Sequence, residues 1–153
     1  MLNFGLIPDN PTPEDWETTA RQSQVLIHLL EAFLAHKQNI EFAVKYSLNK
    51  AIKSLHEDED PCELMEYHDS LASAMMDNVN SNGETPEKML MLHVSIITQY
   101  LFGAMAAYHL DRHDVVKGIF DTIEDNLLSV SRAEELRQHC RDVVMLCNEK
   151  VAN

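Results

Sequence analysis

Apolar residues recur at steps of three and four along most of the chain, which is the spacing of a helix that buries one face. The clearest example occupies residues 39–56, where apolar positions follow one another at these steps from Ile40 to Leu55. No segment alternates with the period of two that is typical of a half-exposed strand. The pattern predicts six helices, at about residues 13–36, 39–56, 61–79, 86–110, 114–128 and 132–151.

Residues that suit helix N-termini precede four of these helices. In three cases a side chain that can accept a hydrogen bond from the first turn is followed by proline, whose missing N–H costs nothing there. The fourth start is a serine with glutamate three residues later, which is a capping box. The four predicted capping residues are Thr12, Asp60, Thr85 and Ser131.

We therefore predict an all-α fold, either a single-domain bundle or a helical-hairpin array of five to six antiparallel helices. Residues 86–110 are the predicted central helix, because residues 89–110 contain no Asp, Glu, Lys or Arg. That stretch is also long enough to span a bilayer. However, polar residues near its middle, such as His93 and Gln99, and the lack of flanking basic clusters favour a buried helix and no membrane.

The expected domain organisation is simple. Residues 1–12, which include Pro8 and Pro11, are predicted to form an extended N-terminal arm. Residues 13–153 are predicted to form a single all-helical domain. The first two helices have no glycine or proline between them, so they are either one long helix or two helices joined by a turn near residues 36–39. The arm and the charge-free helix are the expected sources of a homodimer interface.

Composition narrows the possible functions. The 153 residues include 25 acidic and 12 basic side chains, for a net charge of −13. Such a charge repels nucleic acids and anionic membranes, so neither is an expected direct partner. Four scattered glycines provide no phosphate-binding loop or nucleophile elbow. Three cysteines without a CxxC motif argue against a disulfide scaffold, and with no secretory signal we expect a cytoplasmic protein.

The negative charge is concentrated in residues 54–87, which contain ten acidic residues and no Lys or Arg, next to a mildly basic second helix. A patch of one sign speeds and orients the approach of an oppositely charged partner. We interpret this segment as a docking surface for a protein with a basic surface, with a purely solubilising role as the alternative. The predicted contact residues are Glu57, Asp58, Glu59, Asp60, Glu63, Glu66 and Asp69.

His109 and His113 are candidate metal ligands, because residues four apart on a helix share a face and two such imidazoles can chelate a metal. The interpretation that we favour is a pair of solvated or capping histidines at the end of the fourth helix, without a metal. No Glu-x-x-His or HExxH motif accompanies them, and no cofactor is expected. His93, on the apolar helix, is expected to be a hydrogen-bonded core histidine.

The predicted function is non-enzymatic, because catalytic motifs are absent and interaction features are present. We expect a helical protein that binds another protein, as an adaptor, small chaperone or inhibitor, through its acidic segment. Two alternatives remain open. One is a nucleic-acid mimic that inhibits a DNA- or RNA-binding protein, and the other is a metal-binding helical bundle that uses His109 and His113.

Overall fold

The computed structural model describes residues 10–152 and contains six α-helices joined by short connections. These residues include no strand, which confirms the predicted all-α fold. Residues 1–9 of the predicted arm lie outside the described part of the chain. The helices are α1 (Pro13–Lys37), α2 (Glu41–Lys53), α3 (Pro61–Asn82), α4 (Pro86–His109), α5 (His113–Asn126) and α6 (Val130–Ala152).

The helices group into two compact units. In the first unit, α1 packs against both α2 and α6. In the second, α4 packs against both α3 and α5, so the predicted central helix is the middle element of its own unit. That the chain forms one single helical domain stays a prediction.

The first unit is built on the buried side chains of α1. Val25, Leu29, Leu30 and Phe33 are fully buried, and the neighbouring helices add buried residues such as Leu48. Burying an aliphatic or aromatic side chain of this size contributes about 1.5–3 kcal/mol. The small side chains of α6 that are buried, among them two cysteines, allow close approach of the helices; they are Ala133, Cys140, Val143 and Cys147.

The second unit is built on α4, which buries 11 residues, among them Leu101, Phe102 and Met105. From α5, Phe120 and Ile123 are fully buried. By length and composition α4 is also the one helix in the described part of the chain that could cross a membrane. The same test is passed by core helices, and 56% of its most apolar stretch is buried within the protein.

Two of the four predicted helix starts are confirmed in detail. Thr12 forms a complete capping box, because its hydroxyl accepts from the backbone N–H of Asp15 at 3.2 Å and its own N–H donates to the Asp15 carboxylate at 2.9 Å. The hydroxyl of Thr85 accepts from the N–H of Lys88 at 3.1 Å. These bonds satisfy backbone donors that have no partner inside the helix.

The other two starts differ from the prediction. Asp60 is the residue before α3, but its side chain makes no capping hydrogen bond. The predicted cap Ser131 is wrong, because α6 already begins at Val130. Ser129 serves instead, and its hydroxyl accepts from the N–H of Arg132 at 3.3 Å. Two serines stand two residues apart here, so the sequence alone did not decide between them.

The connection between α1 and α2 is a tight turn, which resolves the question of one helix or two. Asn39 has a φ of 59°, in the left-handed region that ends helices. The N–H of Ile40 donates to the carbonyl of Ala35 at 3.0 Å, and that of Asn39 donates to His36 at 3.0 Å. This is a Schellman motif, and asparagine tolerates it better than most residues.

The end of α3 lies later than predicted. The polar residues after position 79 continue the helix to Asn82, and Gly83, with a φ of 89°, follows it. The N–H of Gly83 still donates to the carbonyl of Val79 at 3.0 Å. Polar side chains alone therefore do not end this helix, whereas the glycine conformation does.

Replacing Asn39 tests whether the left-handed turn determines the break between α1 and α2. Asn39→Ala should lower the free energy of unfolding by about 1 kcal/mol relative to Asn39→Gly, because alanine is strained at a positive φ and glycine is not. Urea unfolding of the two variants followed by circular dichroism measures the difference. Equal stability of the two variants would contradict a required left-handed conformation at this position.

Candidate functional site

The predicted contact residues lie on α3 and in the connection that precedes it. Glu57 falls in the compact unit of α1. The other six all belong to the unit of α3 and are called the acidic surface below. Four of the six are exposed and two, Glu59 and Asp60, are half-buried. The acidic surface consists of Asp58, Glu59, Asp60, Glu63, Glu66 and Asp69.

The acidic surface is exposed because α3 buries only a narrow stripe. Four of its 22 residues are buried, namely Pro61, His68, Ala72 and Val79. The opposite side carries the carboxylates together with small side chains and one aromatic ring. The exposed residues on that side are Glu63, Glu66, Tyr67, Ser70, Ser73, Ala74 and Asp77.

The carboxylates of α3 differ in how they are held. Asp69 accepts a hydrogen bond from the side-chain amide of Gln99 on α4, which fixes its position. Glu63 and Glu66 form no hydrogen bond or ion pair with the residues that the structure describes. They lie three residues apart and therefore on the same side of the helix. Two unneutralised carboxylates are thus available to an incoming cation.

Tyr67 lies among these carboxylates and is 52% exposed. Its ring meets the edge of the His68 ring, with 5.2 Å between centroids and an interplanar angle of 80°. His68 in turn stacks on Phe102 of α4, at 4.3 Å and 21°. The exposed tyrosine ring therefore packs against His68, which itself stacks on Phe102 between α3 and α4.

His68 is a neutral core residue and not a ligand. Its side chain is buried, and this burial lowers its pKa to about 4. Its Nε2 atom makes no hydrogen bond with the described residues. The imidazole acts here as an aromatic ring that packs α3 on α4.

The three thiols are held in their protonated form. Burial, followed by the negative charges of Asp60 and Glu66, raises the pKa of Cys62. Burial raises the pKa of Cys140 to about 12 and also raises that of Cys147. Because the thiolate is the nucleophilic form, none of these cysteines has the environment of a catalytic thiol.

The predicted pairing of His109 and His113 on one helical face is wrong. α4 ends at His109 and α5 begins at His113, because Asp111 between them has a φ of 58°. His113 packs edge-on against Tyr108 at 5.5 Å, and its Nε2 lies 3.9 Å from a carboxylate oxygen of Asp111. Both histidines are exposed, and they stand at the two helix ends that this turn joins.

The expectation for His93 is also wrong, since this residue is exposed on α4. The helix is apolar on nearly all sides, so periodicity did not indicate which side faces solvent. Within residues 10–152 the structure brings together no group of three or more His, Cys, Asp or Glu side chains that could hold a metal ion.

Sequence analysis missed a second surface, the outward side of α2. Phe42 is 76% exposed and Tyr46 is 55% exposed. The ammonium group of Lys50 lies 4.7 Å from the centre of the Tyr46 ring, a cation–π contact. The surface was visible in the pattern, because both aromatics lie opposite the apolar stripe of this helix. The α2 face, as it is called below, consists of Phe42, Lys45, Tyr46, Lys50 and Lys53.

A groove of about 630 Å³ opens between the C-terminal half of α3 and the start of α4. Its lining is mainly apolar, and the sulfur of Met75 accepts a hydrogen bond from the hydroxyl of Ser95 at 2.9 Å. Methionine side chains adapt readily to the shape of a ligand. The lining residues are Ala74, Met75, Asn78, Val79, Thr85, Glu87, Lys88 and Met91.

Comparison with known proteins identifies no match for this chain. No protein-family model matches the chain, and neither a curated protein nor a solved structure matches it. The surfaces described above are therefore the features of the molecule that indicate a function.

Titration of His68 should be measurable as a dependence of stability on pH. The unfolded chain, with a histidine pKa near 6.5, binds more protons than the folded chain, with a pKa of about 4. Stability is therefore fully present above about pH 6.5 and falls as the pH drops toward 4. The loss between about pH 7 and about pH 5 should be about 2 kcal/mol larger in the wild type than in His68→Phe, which keeps an aromatic ring.

Urea unfolding at both pH values measures this difference. Burial also lowers the pKa of His28, but that contribution is common to both proteins and cancels. His93→Gln, which alters an exposed histidine, is the matched control and should behave as the wild type. An unchanged pH dependence in His68→Phe would show that this histidine titrates normally in the folded protein.

Proposed function

We propose that the protein acts by binding another protein with a basic surface, as an adaptor, small chaperone or inhibitor, through the acidic surface on α3. The observation that carries this proposal is the exposure of Glu63 and Glu66, with no partner among the described residues, next to the half-exposed ring of Tyr67. No Lys or Arg occurs between residues 54 and 87 to neutralise them.

The arrangement combines two contributions to binding. Carboxylates at the rim of an interface mainly accelerate and orient the encounter with a cationic partner. Much of the affinity of protein interfaces comes from a few aromatic anchors that become buried, and tyrosine is enriched among them. Tyr67, supported by His68 and Phe102, is such an anchor.

Preorganisation supports the same proposal. Glu63, Glu66 and Tyr67 project from one regular helix, so their spacing is set before binding and little backbone order is lost on association. The hydrogen bond from Gln99 already holds Asp69. The raised pKa values of the three thiols also favour a binding role over nucleophilic catalysis.

The test reverses the charge of two glutamates on α3 and compares the effect on partner binding with that of the same charge change on α6. Wild-type protein is immobilised on a resin and incubated with an extract of the cells that make it. It should retain basic proteins, and these should be released as the salt concentration rises. Glu63→Lys with Glu66→Lys should reduce their recovery at least about tenfold, because the rim charges then repel the partner. Quantitative mass spectrometry of the retained proteins measures the change.

Two controls make the result specific. Glu134→Lys with Glu135→Lys alters exposed acids of α6 by the same net charge and should leave recovery unchanged. Tyr67→Ala leaves the net charge unchanged and should still reduce recovery. Equal losses in the α3 and α6 variants would indicate bulk charge only, and full retention by the α3 variant would exclude this surface. Thermal unfolding of each variant verifies that it is folded.

A further inference from the structure

The outward face of α2 has a composition that contrasts with the rest of this acidic molecule. It exposes two large aromatic rings, Phe42 and Tyr46, within one turn of each other. Three lysines share this side, and Lys45 has only a long contact of 3.9 Å with the carboxylate of Glu41. An exposed aromatic pair flanked by cations is suited to an acidic partner surface with room for two rings.

The chain itself presents a surface of that kind on α3. Phe42, Tyr46, Lys50 and Lys53 follow one another at steps of four, four and three along α2. The outward side of α3, taken from its C-terminal end toward its N-terminal end, has residues at the same steps, namely Ala74, Ser70, Glu66 and Glu63. Each series spans 12 residues. The 11 steps between its ends correspond to about 16–17 Å of helix, and each series occupies one side of its helix.

We propose that the α2 face of one copy of this chain docks, antiparallel, on the outward side of α3 in a second copy. In this register Lys53 meets Glu63 and Lys50 meets Glu66. The inference names a partner for the acidic surface and thus rests on the proposed function.

At the aromatic end of the contact, the side chains of α2 and α3 are complementary in size as well as in polarity. Tyr46 lies over Ser70 and Phe42 over Ala74, so two large rings cover two small side chains, as ridges fill grooves between packed helices. Ala74 also forms part of the lining of the 630 Å³ groove, beside Met75 and Val79. The ring of Phe42, which is 76% exposed in the isolated chain, thereby gains an apolar site.

The contact joins two different surfaces, so it is heterologous. Every copy carries both surfaces, and association either closes into a small ring or continues as an open series. A contact between single faces of two helices, about 16–17 Å long, buries less area than a permanent dimer needs, so the association is weak and depends on concentration. Apart from Met91 in the lining of the groove, the charge-free residues of α4 play no part in it.

Sedimentation velocity of the purified chain, from low micromolar to several hundred micromolar, tests the inference without any other protein. The wild type should self-associate as concentration rises. Lys50→Glu with Lys53→Glu should weaken association at least about tenfold, and Glu63→Lys with Glu66→Lys should do the same. An equimolar mixture of these two variants should associate again, because both possible contacts between them are of opposite charge.

Glu134→Lys with Glu135→Lys is the matched control and should associate as the wild type. Phe42→Ala should weaken association without a change in charge. A wild type that stays monomeric throughout, or a mixture that fails to recover association, would overturn the inference. Circular dichroism verifies folding, and Lys50→Gln with Lys53→Gln serves if the reversed variant is unfolded.

The outcome separates this inference from the proposed function. If the wild type is monomeric while the α3 variant still loses basic proteins from the extract, only the self-contact is excluded. If the chain self-associates as described but captures no basic protein, the docking of another protein is excluded and the self-contact stands.

Discussion

The burial of apolar side chains on two helices, one in each compact unit, is the interaction on which the remaining structure depends. α1 buries ten residues and α4 buries 11, whereas each of the other four helices buries three or four. The hydrophobic free energy of each unit is therefore concentrated on the helix that its two neighbours share. The neighbours need only a narrow apolar stripe to be held in place.

Narrow stripes leave broad outward faces whose side chains are not fixed by packing. This explains how α3 can carry exposed carboxylates, and α2 exposed aromatics and lysines, in an ordinary helical fold. Surface substitutions away from buried features usually change stability by less than about 0.5 kcal/mol. The composition of these faces is thus free to reflect binding. His68 is the point where the two requirements meet, since it packs on Phe102 and supports Tyr67.

The helices themselves follow from periodicity, but several decisive details do not. The start of α1 was predictable because Thr12 and its neighbours satisfy backbone donors locally. Asn39 and Asp111 are of residue types that tolerate a left-handed conformation, but the same types also occur inside helices, so the sequence left the turn near residues 36–39 as one of two alternatives. The exposure of His93 could not be predicted either, because α4 is apolar on nearly all sides and its periodicity therefore does not indicate which side faces solvent. The position of Phe42 and Tyr46 on the polar side of α2 could be predicted from the sequence. Their exposure indicates a binding role only when it is compared with α3, whose outward residues have the same spacing.

The net charge of −13 acts differently on the two proposed uses of α3. A basic partner is attracted both at long range and in contact, so added salt weakens its binding throughout. Two copies of this chain repel each other at long range, and only the facing lysines and glutamates attract. The Debye length is about 10 Å at 0.1 M salt, so moderate salt removes the long-range repulsion while the close pairs are screened less. Net charge therefore opposes self-contact most strongly in dilute buffer, where it favours a basic partner most.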